Sequence, residues 1–259
     1  LDKYLDKKIS NQWLESFRHA MFYANQWWKK IRSLLALEFY LALTWKELSE
    51  VNEDDDIIKL LVAIEILHAY SLVHDDLPCM DNDDFRRGKL SFHKKYSITQ
   101  SQLVSAELIN IAFRMIIDDF KNNNNFDYII ENVSKNLGIL GAAGGQFIDL
   151  NPVDIFKNKK ELKKKFKNKE IIKELFYKKT TTFFEIGFVG GYLGGGGGIE
   201  NINILLEAAY YFGLAFQIYD DFDDIEQDQI RIDNGIPNPN YIGNFGKEDA
   251  YNTFNNSIN

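Results

Sequence analysis

Nine aspartates crowd two short stretches of this chain. Residues 75–84 hold Asp75, Asp76, Asp81, Asp83 and Asp84; residues 220–224 hold Asp220, Asp221, Asp223 and Asp224. Two carboxylates ~4 Å apart repel by roughly 4 kcal/mol at an effective dielectric of ~20. At the C-terminal end of a helix the dipole disfavours negative charge as well. Stability alone does not explain such placements. Divalent cations would relieve the repulsion, and an oxygen-only ligand set suits Mg²⁺ best. Arg86 and Arg87 follow the first cluster at once, and their forked donors suit an oxyanion such as a diphosphate. An EF-hand does not fit, because the stretch from Asp81 has no Gly at loop position six and no Glu at position twelve. A single acidic run would read as a solvated loop; two runs, each behind an apolar stretch, argue for a metal-dependent site.

Each cluster needs an element to hold it. The apolar run 57–73 leads into the first, and the run 204–219 leads into the second. Both read as amphipathic helices that end in carboxylates. Asp220 and Asp224 are four apart, on one helical face, with Gln217 three before Asp220. His68 lies seven residues before Asp75, two turns back on the same face. Prolines occur only at 78, 152, 237 and 239, so long helices are permitted. Segments 11–48, 57–77, 99–120, 126–150, 169–193 and 200–226 carry helical periodicity, and strand alternation is weak. The reading is an all-α domain of nine or ten helices, with no solenoid repeat. Asn122–Asn125 reads as a polar loop. Gly194–Gly198 reads as a break, without the Lys-Ser/Thr that a P-loop needs. The lysine-rich run 157–173 reads as a solvated face.

Composition narrows the partners. The 259 residues are 45% apolar and 26% charged, values of a globular chain. The net charge of −8 leaves no electrostatic footprint for nucleic acid or an anionic membrane. An anionic substrate must then be held by metal ions or a few well-placed cations. Cys79 is the only cysteine, which excludes a disulfide within the chain and suits a reducing, cytoplasmic location. Residues 1–24 lack a basic start followed by an apolar core, and the apolar stretches 34–43 and 57–73 are interrupted, so no transmembrane segment is expected.

The stretch EILHAYSLVHDDLPCMDNDDFRRGKLSFHKKY (65–96) closely resembles the first aspartate-rich region of short-chain trans-isoprenyl diphosphate synthases, the farnesyl and geranylgeranyl diphosphate synthases (polyprenyl synthetases). FQIYDDFDD (216–224) resembles their second motif, and GGQFIDL (144–150) and Lys179-Thr180 match two further signatures. The resemblance runs from about Trp13 to Ala250. It implies a single-domain isoprenoid synthase helical bundle around a central cavity, 1–259, usually a homodimer, with the family's last helices missing from this chain. It implies an Mg²⁺-dependent prenyltransferase, with three ions when substrate is bound, that joins isopentenyl diphosphate to an allylic diphosphate. Carried over by position, Asp75, Asp76, Asp81, Asp220 and Asp224 resemble metal ligands. Arg86, Lys179, Thr180 and Gln217 resemble contacts to the allylic substrate; Lys29, Arg32, His68 and Arg87 resemble the isopentenyl diphosphate site. Cys79 has no role in this scheme.

In the family, residues just upstream of the first aspartates line the cavity floor. Tyr70, five before Asp75, should stop growth at farnesyl diphosphate, with geranylgeranyl diphosphate as the alternative. The chain departs from the family at several points. The pattern GGKRxRP reads here Trp27-Trp28-Lys29-Lys30-Ile31-Arg32-Ser33, the Gly-Asp after the first motif reads Ser105-Ala106, and the lysine pair after the second motif is missing, one such position being Asn238. A weakly active or non-catalytic regulatory subunit of a prenyl synthase is therefore a second reading. A class I terpene cyclase is a third, although residues 220–224 form a second DD motif rather than an Asn/Ser/Glu metal motif.

Overall fold

The computed structural model describes residues 12–25, 30–53, 55–150, 166–223, 225 and 239–258. They are helical almost throughout, as the sequence predicts. The helices are α1 (Gln12–Ala24), α2 (Ile31–Thr44), α3 (Asp56–Asp75), α4 (Phe92–Lys95), α5 (Ile98–Phe120), α6 (Phe126–Leu137), α7 (Ala142–Leu150), α8 (Lys169–Phe176), α9 (Thr182–Gly194), α10 (Ile202–Asp223), α11 (Tyr241–Phe245) and α12 (Lys247–Ile258). A two-residue ribbon, β1 (Phe85–Arg86) with β2 (Lys89–Leu90), is the one strand pair among the described residues.

The chain forms two compact units. One comprises Leu1–Ile130 with Gly190–Ile199, the other Glu131–Val189 with Glu200–Asn259. In the first unit α3 packs chiefly against α5 and also against α2. Its apolar residues Leu60, Ile64, Leu67 and Val73 are buried, as are Val104, Leu108 and Ile111 of α5. Each such side chain contributes about 1.5–3 kcal/mol when fully removed from water. The interruptions in 57–73 argue against a bilayer span, yet by length and composition α3 does meet that test. The interruptions are absorbed within the unit. Lys59 pairs with Asp56 at 3.0 Å and with Asp119 of α5 at 3.5 Å, and Glu65 and His68 are buried. A mostly buried core helix passes the same length and hydropathy test as a membrane span.

Three predicted helices break where local chemistry asks for it. Residues 126–150 divide at Gly138–Gly141 into α6 and α7. Residues 169–193 divide at a π-helical turn, Tyr177–Thr181. Residues 11–48 divide before Lys30, whose φ of 58° lies in the left-handed region. The polar loop Asn122–Asn125 lies between α5 and α6, and Asn125 Nδ2 donates to the carbonyls of Leu193 at 3.3 Å and Gly197 at 2.9 Å. It thus satisfies carbonyls at the end of α9, where the glycine run stops the helix. In the second unit, α10 packs on α12, α8, α11 and the π turn. Phe166, Ile172, Phe176, Leu214, Ile218 and Tyr241 form its core.

Candidate functional site

The first aspartate motif is a helix end followed by a tight loop. Helix α3 closes with Asp75, and the Asp76 N–H still reaches back to the Leu72 carbonyl at 3.1 Å. Pro78 has no N–H to continue the helix, so the chain turns. Met80 and Asn82 donate to the Leu77 carbonyl at 2.8 and 3.1 Å, and Asn82 takes a φ of 56°. The Asp81 N–H then donates to the Asp75 carbonyl at 2.9 Å, bringing together two aspartates six apart in sequence.

Asp76 has a different fate from its neighbours. It is 0% exposed, whereas Asp75 is half-buried and Asp81 exposed. Its Oδ1 accepts from Arg86 Nε at 2.9 Å and, more closely still, from Arg86 Nη2, which also reaches Asp83 at 3.1 Å. Its Oδ2 is buried without a hydrogen-bond partner. Burial pulls the Asp76 carboxyl above its usual range, and the Arg86 guanidinium opposes that. The ribbon aims the two arginines. Arg87 and Gly88, at φ 50° and 77°, form the turn between β1 and β2, as a two-residue hairpin of type I′ requires. Arg87 accepts a left-handed backbone that glycine would take more cheaply.

Behind the loop lies a second group of cations. Arg32 Nη1 is 3.3 Å from His68 Nε2. His68 is 7% exposed. Burial, and then the positive charges of Arg32, Arg87 and Arg86, hold its pKa well below the ordinary histidine range. His68 is thus a neutral imidazole amid three guanidiniums. Two residues along α3, the Tyr70 ring meets the His74 ring edge-on at 5.7 Å. Burial, and then the charge of Asp75, raise the pKa of the Tyr70 phenol.

The second unit carries the other predicted residues. Lys179 and Thr180 lie in the π turn, a geometry that recurs at functional sites. The turn is gripped from both sides by glycines. A Cβ on Gly145 of α7 would lie 2.7 Å from the Lys179 backbone nitrogen, and one on Gly213 of α10 would lie 2.2 Å from Thr181 Oγ1. No other residue allows that approach. From α7, Asp149 forms a close ion pair with Lys179. Thr180 Oγ1 donates to Gln217 Oε1 at 2.7 Å. Gln217 Nε2 donates to Asp221 Oδ1 at 3.3 Å, and Asp221 Oδ2 accepts the Tyr241 N–H at 2.6 Å. Asp220 is half-buried on α10, while Asp221 is buried.

Most predicted residues thus fall into two groups, one in each unit. Asp75, Asp76, Asp81, Arg86, Arg87, Arg32, His68 and Tyr70 belong to the first, and Lys179, Thr180, Gln217 and Asp220 to the second. Lys29 and Asp224 lie outside the described residues, as do Trp27, Trp28 and Asn238. Sequence reasoning did not single out Asp149, Asp221 or Glu65. Asp149 could have been found in the GGQFIDL signature, whose glycine and aspartate both meet Lys179. Glu65 gave no signal beyond being acidic in an apolar run, and Asp221 none beyond its membership of the second cluster.

Among the described residues no three Asp, Glu, His or Cys side chains converge as a metal site. That does not tell against Mg²⁺, which keeps several waters and is usually held by one or two carboxylates together with substrate phosphates. Asp75 and Asp81, whose backbones are joined by the hydrogen bond above and whose side chains are less enclosed than that of Asp76, offer oxygen-only donors that suit such an ion.

Comparison with known proteins bears on both groups. The farnesyl diphosphate synthase of Buchnera aphidicola is 36% identical over 176 residues, 66% of this chain and 59% of that protein. Geranylgeranyl pyrophosphate synthase 7, chloroplastic, of Arabidopsis thaliana is 33% identical over 175 residues, 67% of this chain and 48% of that protein. The chain thus spans about half to three-fifths of these two relatives' length. A crystal structure of a geranyltransferase from Helicobacter pylori, complexed with magnesium and isoprenyl diphosphate, superposes with a TM-score of 0.73 at 25% identity, covering 96% of this chain and 80% of that one. The polyprenyl synthetase family model matches residues 13–236, a span that takes in both aspartate motifs, the GGQFIDL segment and the Lys179-Thr180 turn. By that match the chain belongs to the polyprenyl synthetase family.

Proposed function

We propose that this chain is an Mg²⁺-dependent prenyltransferase that condenses isopentenyl diphosphate with dimethylallyl or geranyl diphosphate to give farnesyl diphosphate. The observation that carries the reading is the first-motif loop. The Asp81–Asp75 backbone bond and the Arg86–Asp76 pair together present carboxylates and guanidiniums for a metal-bound diphosphate. Asp75, Asp81 and Asp220 would hold Mg²⁺, with Asp224 by its place in the second motif, and we expect three ions with substrate bound. Asp76, its Oδ1 occupied by Arg86, serves chiefly to fix that arginine.

Mg²⁺ supplies Lewis acidity that makes the allylic diphosphate a leaving group. The chain's own residues do the rest. Arg86 and Lys179 carry charge for the departing diphosphate. Thr180 gives its hydroxyl hydrogen to Gln217, so its oxygen lone pairs remain to face a cationic carbon. Arg32, His68 and Arg87 hold isopentenyl diphosphate so that its alkene meets that carbon; Lys29 joins them by its position in the motif. The proton released on bond formation passes to the departing diphosphate. Tyr70, braced on His74 beside the carboxylates, limits the prenyl chain.

We further infer a homodimer in the cytoplasm, to be checked by light scattering and by fractionation of the source cells. The deciding experiment incubates the purified protein with Mg²⁺, isopentenyl diphosphate and each allylic diphosphate in turn, then sizes the products. A fifteen-carbon product supports the proposal, and a twenty-carbon product supports the geranylgeranyl alternative. No condensation with any combination sinks the synthase reading; stimulation of a separate active synthase would then identify a regulatory subunit, and cyclic hydrocarbons a cyclase.

A further inference from the structure

Helix α2 begins awkwardly. Its cap, Lys30, has a left-handed backbone and gives the first turn no side-chain hydrogen bond. The turn is instead satisfied from α3. Glu65, 3% exposed, sets its Oε1 2.6 Å from Ser33 Oγ and 3.3 Å from the Ser33 N–H. Ser33 Oγ also lies 3.0 Å from the Lys30 carbonyl, but its single hydrogen serves the shorter contact. A carboxylate at a helix N-terminus is favoured both by the orphan N–H groups and by the dipole. Glu65 therefore caps α2 across the helix interface, and its buried Oε2 has no hydrogen-bond partner.

Arg32 precedes Ser33, and His68 lies one turn beyond Glu65 on α3. The contact between Arg32 and His68 thus sits directly beside the Ser33–Glu65 bond. Glu65 also lies near enough to Arg87 for its charge to be felt there. The link depends on this chain's own sequence. At position 33 the family pattern GGKRxRP has proline, which offers neither the N–H nor the hydroxyl that Glu65 accepts here.

We propose that Glu65 is a positioning residue: by capping α2 through Ser33 it fixes Arg32 against His68 and so shapes the anion site for isopentenyl diphosphate. This rests on the prenyltransferase reading above. Glu65 itself contacts no substrate.

The test compares S33A, E65Q, S33A/E65Q and R32Q with the wild type. Steady-state assays give KM for each substrate, and calorimetry with inorganic pyrophosphate in EDTA gives binding independent of activity and metal. The expected result is that S33A and E65Q each raise the isopentenyl diphosphate KM, and weaken pyrophosphate binding, by about three- to tenfold. The allylic KM and kcat should stay within twofold, and the double variant should be no worse than the poorer single one, because both act through one bond. R32Q should show the full loss of the site. Additive losses, equal shifts in both KM values, or wild-type behaviour in S33A and E65Q would overturn the proposal. S33A keeps the backbone N–H, so it decides the matter if E65Q does not fold. Wild-type protein that binds pyrophosphate without condensing substrates would defeat the function reading alone; wild-type protein that does neither would defeat both.

Discussion

Asp221 Oδ2 accepts the backbone N–H of Tyr241 at 2.6 Å. The second aspartate of DDFDD is therefore an internal anchor that ties the start of α11 to α10. The first motif repeats the arrangement, since the buried Asp76 holds Arg86. In both motifs the leading aspartate, Asp75 or Asp220, is the more exposed of the pair, and the following one is buried.

This division separates the effects of adjacent substitutions. D220N should lower kcat by about a hundredfold or more with an unchanged melting temperature, because it weakens metal binding. D221A should destabilise the protein by about 1–3 kcal/mol, the cost of leaving a buried N–H unsatisfied, and should expose the Tyr241–Ile258 segment to limited proteolysis. Thermal melts alongside assays check both. Equal stability loss in the two variants would contradict the division.

Asp149 grips Lys179 in a close ion pair. D149N should leave that ammonium without its carboxylate and loosen its aim. We expect kcat to fall about tenfold with the geranyl diphosphate KM within threefold, and D149E to recover part of the loss. Varying geranyl diphosphate at saturating isopentenyl diphosphate measures it.

His68 makes stability depend on pH in one direction. Its folded pKa lies well below the ordinary 6.5, because of burial and the nearby Arg32, Arg87 and Arg86. Between those two values the unfolded chain binds a proton that the folded chain refuses. Stability should therefore fall as the pH drops below about 6.5, by up to about 1.4 kcal/mol per pH unit from this group. Urea titrations from pH 7.5 to 5 should show the slope, and H68Q should flatten it.

Tyr70→Ala tests the chain-length assignment. If the ring limits growth, the variant should yield prenyl diphosphates longer than the wild-type product, with condensation otherwise preserved. Chromatography of the dephosphorylated alcohols reads the result, and an unchanged distribution would remove Tyr70 from the floor.

Much of this molecule was legible in its residues. Periodicity located α3, α5 and α10, because an apolar face that must be buried repeats with the helix. Crowded carboxylates marked both motifs, because such repulsion is kept where a cation can offset it. The breaks were less visible. The π turn at Tyr177–Thr181 is held by close approach of Gly145, 33 and 34 residues before the Lys178 and Lys179 it meets, and of Gly213, 32 residues after the Thr181 it meets, and these pairings exist only after folding.

The sequence by itself determined the helical class, the family and the residue types that could hold a metal-bound diphosphate. It did not determine which aspartate does what. Asp75 and Asp76, like Asp220 and Asp221, are the same chemical group one residue apart, and a helix turns neighbours to different sides. Burial and partner are properties of the folded neighbourhood. Arg86 found Asp76 through a ribbon, Tyr241 reached Asp221 from 20 residues on, and Ser33 met Glu65 from 32 residues before. Those pairings separate the more exposed carboxylates of each motif from the carboxylates that hold the protein together, because only packing decides which oxygen is left to water and which is enclosed.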